Sequence, residues 1–528
     1  MSSVLADGWA AQVLDRLREQ LGAKQVLTGG ATAPFACDIF ASGAALLAVL
    51  QPRSVEALQG AVAIAHGAGL AMAIRGGGAS YTHGYLASRA GTVLFDLRGL
   101  ARIVEINVQD AYVTVECGVT WQALQQALAA QGVRTPFRGP FSGLVATVGG
   151  TVAQHGISHG TGRYGGAAQS VLGLDVVLAD GRLLSTGSGA TGQVSANRYF
   201  GPDLSGLFTG DCAAFGIKAR ITLPLLPATV QHAGVSYAFS SFEALHQGLQ
   251  AAARAGADDT HFALDAALLR GQLARGRSLR ETADIALGVL RTSPSLLSAF
   301  GQLARMALAG ERALKQAPYL AHFMVEEQDR HSLKAAVLRL RRSIGGLGVE
   351  IANTVPTVIH SAPFAKLFNI LGPRSERWVP VHGVLANSRV AAFHQALQDL
   401  YAHQRLAMAR HGVWTGAMYE SVGAGCLMYE VGIYWPDELS DYHQATLTDK
   451  QKLRAGAPQG NPAARAWVEG FKAELVALFD AHGATHYQIG TVYPYLERMG
   501  ATAVELVQGV KDLLDPQGRM SPGVLGLP

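Results

Sequence analysis

Cysteine is scarce in this chain: Cys37, Cys117, Cys212 and Cys426 are the only four in 528 residues, far apart and without a CxxC pair. That spacing gives neither a disulfide framework nor a metal set, and it suits a reducing, cytoplasmic compartment. Charge is also sparse, 16% of residues against 49% hydrophobic, yet no apolar run nears the roughly eighteen residues of a membrane-crossing helix. A soluble protein is expected. The first residues set Val13, Leu14, Leu17 and Leu21 against Asp15, Arg16, Arg18 and Glu19 at helical spacing, the pattern of a surface helix and not of a secretory leader. The net charge of +4 is spread along the chain with no basic stripe, which speaks against a nucleic-acid partner. Repeats and low-complexity tracts are absent, and the length calls for two or three domains.

Ser54 to Gly69 reads as a helix with Val55, Leu58, Val62 and Ile64 inward, followed by a strand over Leu70 to Ile74. Further strands are predicted over Thr92 to Leu97, Tyr112 to Cys117 and Ile217 to Leu223, with a hairpin turning at Asp180-Gly181. Thr120 caps a predicted helix whose inward residues are Leu124, Leu128 and Ala129. From about Thr229 to Ala484 strands and helices alternate, with a Leu- and Arg-rich helical stretch over Leu264 to Ala317 that carries Arg270, Arg275, Arg277 and Arg280. The end of the chain is predicted to be extended over His486 to Tyr495 and helical over Ala501 to Leu514, with a stop at Asp515-Pro516-Gln517-Gly518.

Chemistry concentrates in glycine. Arg75-Gly76-Gly77-Gly78-Ala79-Ser80-Tyr81 puts three bare residues between a strand and a polar loop, so that N–H groups can converge on a diphosphate without Cβ obstruction. The nicotinamide fingerprint is excluded because the next regular element is a strand, and no GK[ST] marks a triphosphate site. Two further loops, Gly139 to Gly166 and Gly210 to Ile217, are also glycine-rich.

These loops, with Arg102-Ile103-Val104-Glu105-Ile106-Asn107, Gly118-Val119-Thr120-Trp121, Phe215-Gly216-Ile217 and Ser521-Pro522-Gly523, resemble the vanillyl-alcohol oxidase and 4-cresol dehydrogenase superfamily over roughly residues 50–225 and 410–528. The resemblance implies an α+β chain: a two-subdomain, PCMH-type FAD-binding domain (1–228), a central α+β cap (229–484) and a C-terminal segment returning to the flavin domain (485–528). It implies FAD held by Arg75, Gly76, Gly77, Gly78, Ala79, Ser80, Tyr81, Pro140, Ser142, Thr147, Gly149, Gly150, Gln154, Gly156, Ile157, Tyr164, Gly165, Gly216 and Ile217. Many relatives tether the flavin through a histidine where this chain has Ala79, so a non-covalent cofactor is implied; Tyr429 lies near the cap position that carries such a bond in one branch.

By the same resemblance Tyr81 and Tyr487 orient a phenolic or other aryl alcohol, with His486 or His382 as acid/base groups. Gln488 stands where vanillyl-alcohol oxidase has arginine, and Gly166 where that branch has an acid. The substrate is then a small molecule that gives a hydride to flavin N5, and O2, a quinone or a redox protein takes the electrons. A homo-oligomer is expected. Two other readings stay open: a dehydrogenase of D-2-hydroxy acids such as lactate or glycolate, with Arg163, Arg374 or Arg377 as carboxylate anchor, and a flavin-holding sensor or scaffold without turnover. His155 and His159 are open to structural or acid/base roles, and Glu420 and Glu430 become candidate bases if the fold buries them.

Overall fold

The structure, a computed structural model, describes residues 2–274, 317–364 and 370–528. Helix α1 (Ser2–Leu21) packs Val13 and Leu17 against a four-stranded sheet of β1 (Val26–Leu27), β2 (Leu46–Leu50), β3 (Met72–Arg75) and β4 (Thr92–Asp96), in the order β1-β2-β4-β3. Strands β2 and β3 both run parallel to β4. Such pairing needs a crossover, supplied by α2 (Val55–Gly67), whose first turn is capped by the Ser54 hydroxyl accepting from the Ala57 N–H at 3.1 Å. Its Val55, Leu58 and Val62 are buried against the sheet.

A second, antiparallel sheet holds β5 (Ile103–Asn107), β6 (Tyr112–Glu116), β7 (Gly173–Val177), β8 (Leu183–Ser185) and β9 (Ile217–Pro224), ordered β5-β6-β9-β7-β8. Its register sets Ile221 opposite Val115 and Leu223 opposite Val113, all fully buried, so period-2 alternation aligns the apolar faces. Between β6 and β7 lie α3 (Trp121–Ala129), capped by Thr120, and the short α4 (Val148–Ala153), capped by Thr147. Leu124 and Leu128 face inward. Ala129, expected inward, is exposed: one residue past Leu128, the helix has turned it off the stripe.

Seven antiparallel strands make the cap: β10 (Gln231–Phe239), β11 (Thr260–Asp265), β12 (Tyr319–Glu327), β13 (Val349–Ile351), β14 (Arg377–Ala386), β15 (Trp414–Val422) and β16 (Cys426–Trp435), in the order β13-β10-β12-β11-β15-β16-β14. Helices α5 (Phe242–Ala255), α6 (Arg330–Ile344), α7 (Asn387–His411) and α8 (Pro462–Ala481) share a core with one sheet face, which includes Tyr419 and Tyr429. The other face, with Phe262, Leu264, Trp378 and Met418, turns to Phe141 in the loops between β6 and β7. Arg134 and Arg163 hold Asp259 at 2.8 and 3.0 Å, and Arg138 holds Glu326 at 2.8 Å, pinning cap to base. The predicted helix over Leu264 to Ala317 begins later: Leu264 belongs to β11, and a helix covers Ala266–Ala274. Residues 275–316, with Arg275, Arg277 and Arg280, lie outside the described residues.

His486 to Tyr495, expected to be extended, is a run of turns, because Gln488 (φ 53°) and Gly490 (φ 57°) adopt left-handed backbone. Helix α9 (Ala501–Leu514) then brings the chain back to the base. Its buried Lys511 bonds the Asp515 carboxylate at 2.6 Å and the carbonyls of Ala214 and Met520 at 2.9 and 2.8 Å. Beyond it, the Met72 N–H donates to Arg519 and the Ser521 N–H to Met72, both at 2.8 Å, stitching the C-terminus to β3.

Candidate functional site

Between the glycine-rich loops and the open face of the cap sheet lies a cavity of about 1750 Å³, the open space at its mouth included. One wall is main chain: Gly76, Gly77, Gly78, Ala79 and Ser80 after β3, Pro140 and Ser142, then Thr147, Gly149, Gly150, Gln154, Gly156 and Ile157. Glycine is required there by close approach. A Cβ on Gly77 would run into the Val145 carbonyl, one on Gly149 into Cys117, and one on Gly76 would come within 2.6 Å of the Thr147 hydroxyl. Gln154 leaves a buried side-chain oxygen, Oε1, without a partner in this wall. Bared peptide N–H groups suit the phosphates of a ligand, and the free amide oxygen is an acceptor for a hydroxyl or N–H donor of the same ligand.

Three segments join beside that wall. The Gln488 N–H donates to Gln154 at 2.9 Å, the Cys212 N–H to Ala153 at 2.8 Å, and the Gly490 N–H to Cys212 Sγ at 3.4 Å. His155, Cys212, Ala213 and Gln488 all hold positive φ at this junction, a concentration of backbone strain next to the cavity.

The opposite wall is made by β14, β15 and β16. Register sets Met418 beside Glu430 and Glu420 beside Met428, while His382 sits beside Glu430 on the outer strand. All five line the cavity with Tyr81, Trp378, Phe141, Ile39 and Ile370. Alternation decides who faces in: Glu420 and Glu430 point to the cavity and their neighbours Tyr419 and Tyr429 to the helix-covered core. Tyr429 is therefore on the wrong face for a bond to the flavin; its hydroxyl pairs with His394 at 3.0 Å.

Burial governs the charges. It pushes the Glu430 carboxyl up to about 7. Glu420 is raised well above the usual carboxylate range, first by burial and then by Glu430, against a hydrogen bond from Thr161, and its Oε1 has no partner. Burial also holds the Tyr81 phenol well above its ordinary value; that hydroxyl shares a hydrogen bond with the Gln488 side chain. Lys218 lines the cavity but is committed to a buried ion pair with Asp211.

Other predicted residues stand elsewhere. Arg75 lies behind the glycine loop, buried against Phe35 and Tyr85 and 3.8 Å from Asp96. Tyr164 stacks under Arg134 and Arg163 at the cap contact, and Gly165 follows it away from the cavity. Gly216 packs on Val176 and Ile217 is core; the neighbouring Lys218 is the residue that reaches the cavity. Tyr487 and His486 line a separate recess with His155, because the left-handed Gln488 turns the chain: Tyr487 packs edge-on to His155 at 4.3 Å. His486 is occupied by the His382 carbonyl and Asp480, each at 2.8 Å. His382 spends Nε2 on the Tyr487 carbonyl at 2.9 Å and Nδ1 on Tyr493 at 3.2 Å, and burial lowers it to about 3, so it orients main chain and holds no spare nitrogen for the cavity. His159 is held by the Pro363 carbonyl at 2.8 Å. Arg163 is bound to Asp259, Arg374 to Glu376, and Arg377 to the carbonyls of Ile39 and Phe40; none lines the cavity. Sequence reasoning passed over Trp378, Met418 and Met428, though Met418 and Met428 share parity with the two glutamates and could have been found by it.

Residues 46–187 match the family model described as FAD binding domain. The chain carries an FAD binding domain. The chain superposes on p-cresol methylhydroxylase with substrate bound, with a TM-score of 0.73 at 18% identity over 98% of this chain and 97% of that one. The 4-ethylphenol oxidase of Gulosibacter chungangensis gives 0.68 at 19% identity, over 98% and 97%. The fold is thus the PCMH-type flavin domain with its cap. By sequence, part of the chain is similar to the probable mitochondrial D-lactate dehydrogenase of Danio rerio (35% over 178 residues, 34% of each chain) and to glycolate oxidase subunit GlcD of Escherichia coli K12 (28% over 229 residues, 43% of this chain and 44% of that one). The chain spans less than half the length of these curated relatives. No helix among the described residues is long and apolar enough to cross a membrane, and no three potential metal ligands come together there.

Proposed function

We propose that the protein is an FAD-dependent oxidoreductase that oxidises a small, largely apolar alcohol, aryl alcohols foremost. The observation that carries this reading is the cavity's two-sided character: glycine-bared main chain on one wall, and Tyr81, Trp378, Met418 and Met428 around two carboxyls on the other. Gly76 to Ser80 and Thr147 to Gly150 would hold the diphosphate, and Gln154 to Ile157 the adjoining chain toward the flavin ring. Bound FAD supplies the two-electron hydride acceptor. The protein supplies the rest: apolar walls that exclude water, the Tyr81 hydroxyl that orients the substrate oxygen, and Glu430, which takes the proton as the alcohol carbon gives up its hydride.

The names of the sequence relatives favour a second reading, a D-2-hydroxy acid as substrate. That substrate needs a cationic anchor. Among the described residues the one cation lining the cavity is Lys218, already paired with Asp211, so the aryl alcohol is preferred. Anaerobic mixing of the yellow protein with aryl alcohols, alkylphenols and 2-hydroxy acids decides: bleaching by the first two supports this reading, bleaching by hydroxy acids alone replaces it with the second, and bleaching by none leaves a flavin-holding scaffold. Glu430→Gln should retain FAD yet slow reduction by about 10²- to 10⁴-fold. In the unsubstituted protein the reduction rate should climb as pH rises through about 7, because a proton acceptor works only once ionised.

A further inference from the structure

The two cavity carboxyls are in a situation that an alcohol does not explain. Glu420 is 2% exposed, one of its oxygens has no partner, and the second carboxyl stands diagonally from it on the neighbouring strand, about 7 Å away by sheet geometry. A buried acid is normally paired with a cation or a metal, or else held neutral. Among the described residues no free cation faces them. Of the groups facing the pair, His382 has both nitrogens engaged, Tyr81 is bonded to Gln488, Thr161 donates to Glu420, Asp258 adds further negative field, and Lys218 belongs to Asp211. A metal ion does not fit: no third potential ligand joins the pair among the described residues, and the rest of the lining is Trp378, Tyr81, Phe141, Met418 and Met428.

From this juxtaposition we propose that the substrate of the reaction inferred above carries a protonated amine, which Glu420 anchors while the aromatic walls surround its hydrocarbon part. The chemistry is complementary throughout. An ammonium group donates to the free Glu420 oxygen, drawing that carboxyl from the neutral form that burial favours to the carboxylate, and gains cation–π attraction from Trp378, Tyr81 and Phe141, whose ring faces favour a cation over an anion. Tyr81 and Trp378 already meet edge-to-face at 5.9 Å, forming a corner of such a cage. The substrate class narrows to aryl or alkyl amino alcohols and excludes carboxylates.

This inference rests on the flavin reading but is tested without it. Calorimetric titration of the FAD-loaded protein with 2-phenylethylamine, 2-phenylethanol and phenylacetate compares one skeleton at three charges. The amine should bind about tenfold or more tighter than the alcohol, and phenylacetate weakest. Glu420→Gln, which keeps the shape and the Thr161 contact, should bring amine and alcohol together. Equal or tighter binding of the alcohol or the acid by the unsubstituted protein overturns the proposal, and so does an amine preference that survives in a folded Glu420→Gln variant. Should that variant fail to fold, the charge series alone decides. If no FAD is taken up, the oxidoreductase reading fails, and the same three probes titrated into the flavin-free protein still report on Glu420.

Discussion

Gly77→Ala is expected to give protein without flavin. The added Cβ would occupy the position of the Val145 carbonyl, and the adjoining Ala146 and Thr147 lead into α4, so main chain must move on both sides of the proposed diphosphate cradle at once. Backbone on backbone has no rotamer to relieve it, in contrast to a clash with a flexible side chain. FAD affinity should fall by a hundredfold or more, on the order of 3 kcal/mol, read as loss of yellow colour after gel filtration. Gly470→Ala is the control: it lies in α8 with nothing within 4 Å of the new methyl group, and it should leave cofactor content unchanged and stability equal or slightly higher.

Lys511→Met should be the most destabilising single change away from the cavity. It would leave the Asp515 carboxylate, 2% exposed, without its cation and strip a donor from the carbonyls of Ala214 and Met520. Removing one partner of a buried pair costs about 3–5 kcal/mol. The C-terminal stitch to β3 and the loop bearing Cys212 and Ala213 both depend on this lysine, so FAD retention should fall with stability. A denaturant midpoint lowered together with faster FAD release is the expected result; an unchanged midpoint would remove Lys511 from the account.

What the sequence made legible follows from where local rules act alone. Glycine triplets report on backbone, and backbone sites need no knowledge of the tertiary partners: Gly76 to Ser80, Thr147, Gly149 and Gly150 line the cavity together. Capped helices and alternating strands of the base came through to within a residue or two, as at Val55–Gly67, Tyr112–Glu116 and Ala501–Leu514. The substrate wall was less legible because strand pairing creates it. Glu420 and Glu430 are ten residues apart in sequence, and only the β15–β16 register makes them one site. Tyr487 was misplaced for a related reason: a single left-handed residue, Gln488, turns the chain so that its neighbour faces another recess, and non-glycine positive φ leaves no mark in sequence. His382 and His486 looked available until their carbonyl and carboxylate partners, more than a hundred residues away for the first two contacts, were visible.

One cavity is proposed to receive FAD on its glycine wall and substrate against Glu420, Glu430, Tyr81 and Trp378. The most direct measurement is titration of flavin-stripped protein with FAD by fluorescence quenching, followed by addition of an aryl amino alcohol while the visible band is watched under anaerobic conditions. Equimolar uptake of FAD and then loss of the band on adding the alcohol is the predicted result. Failure to bind FAD, or a bound flavin whose spectrum no such compound perturbs, would contradict it.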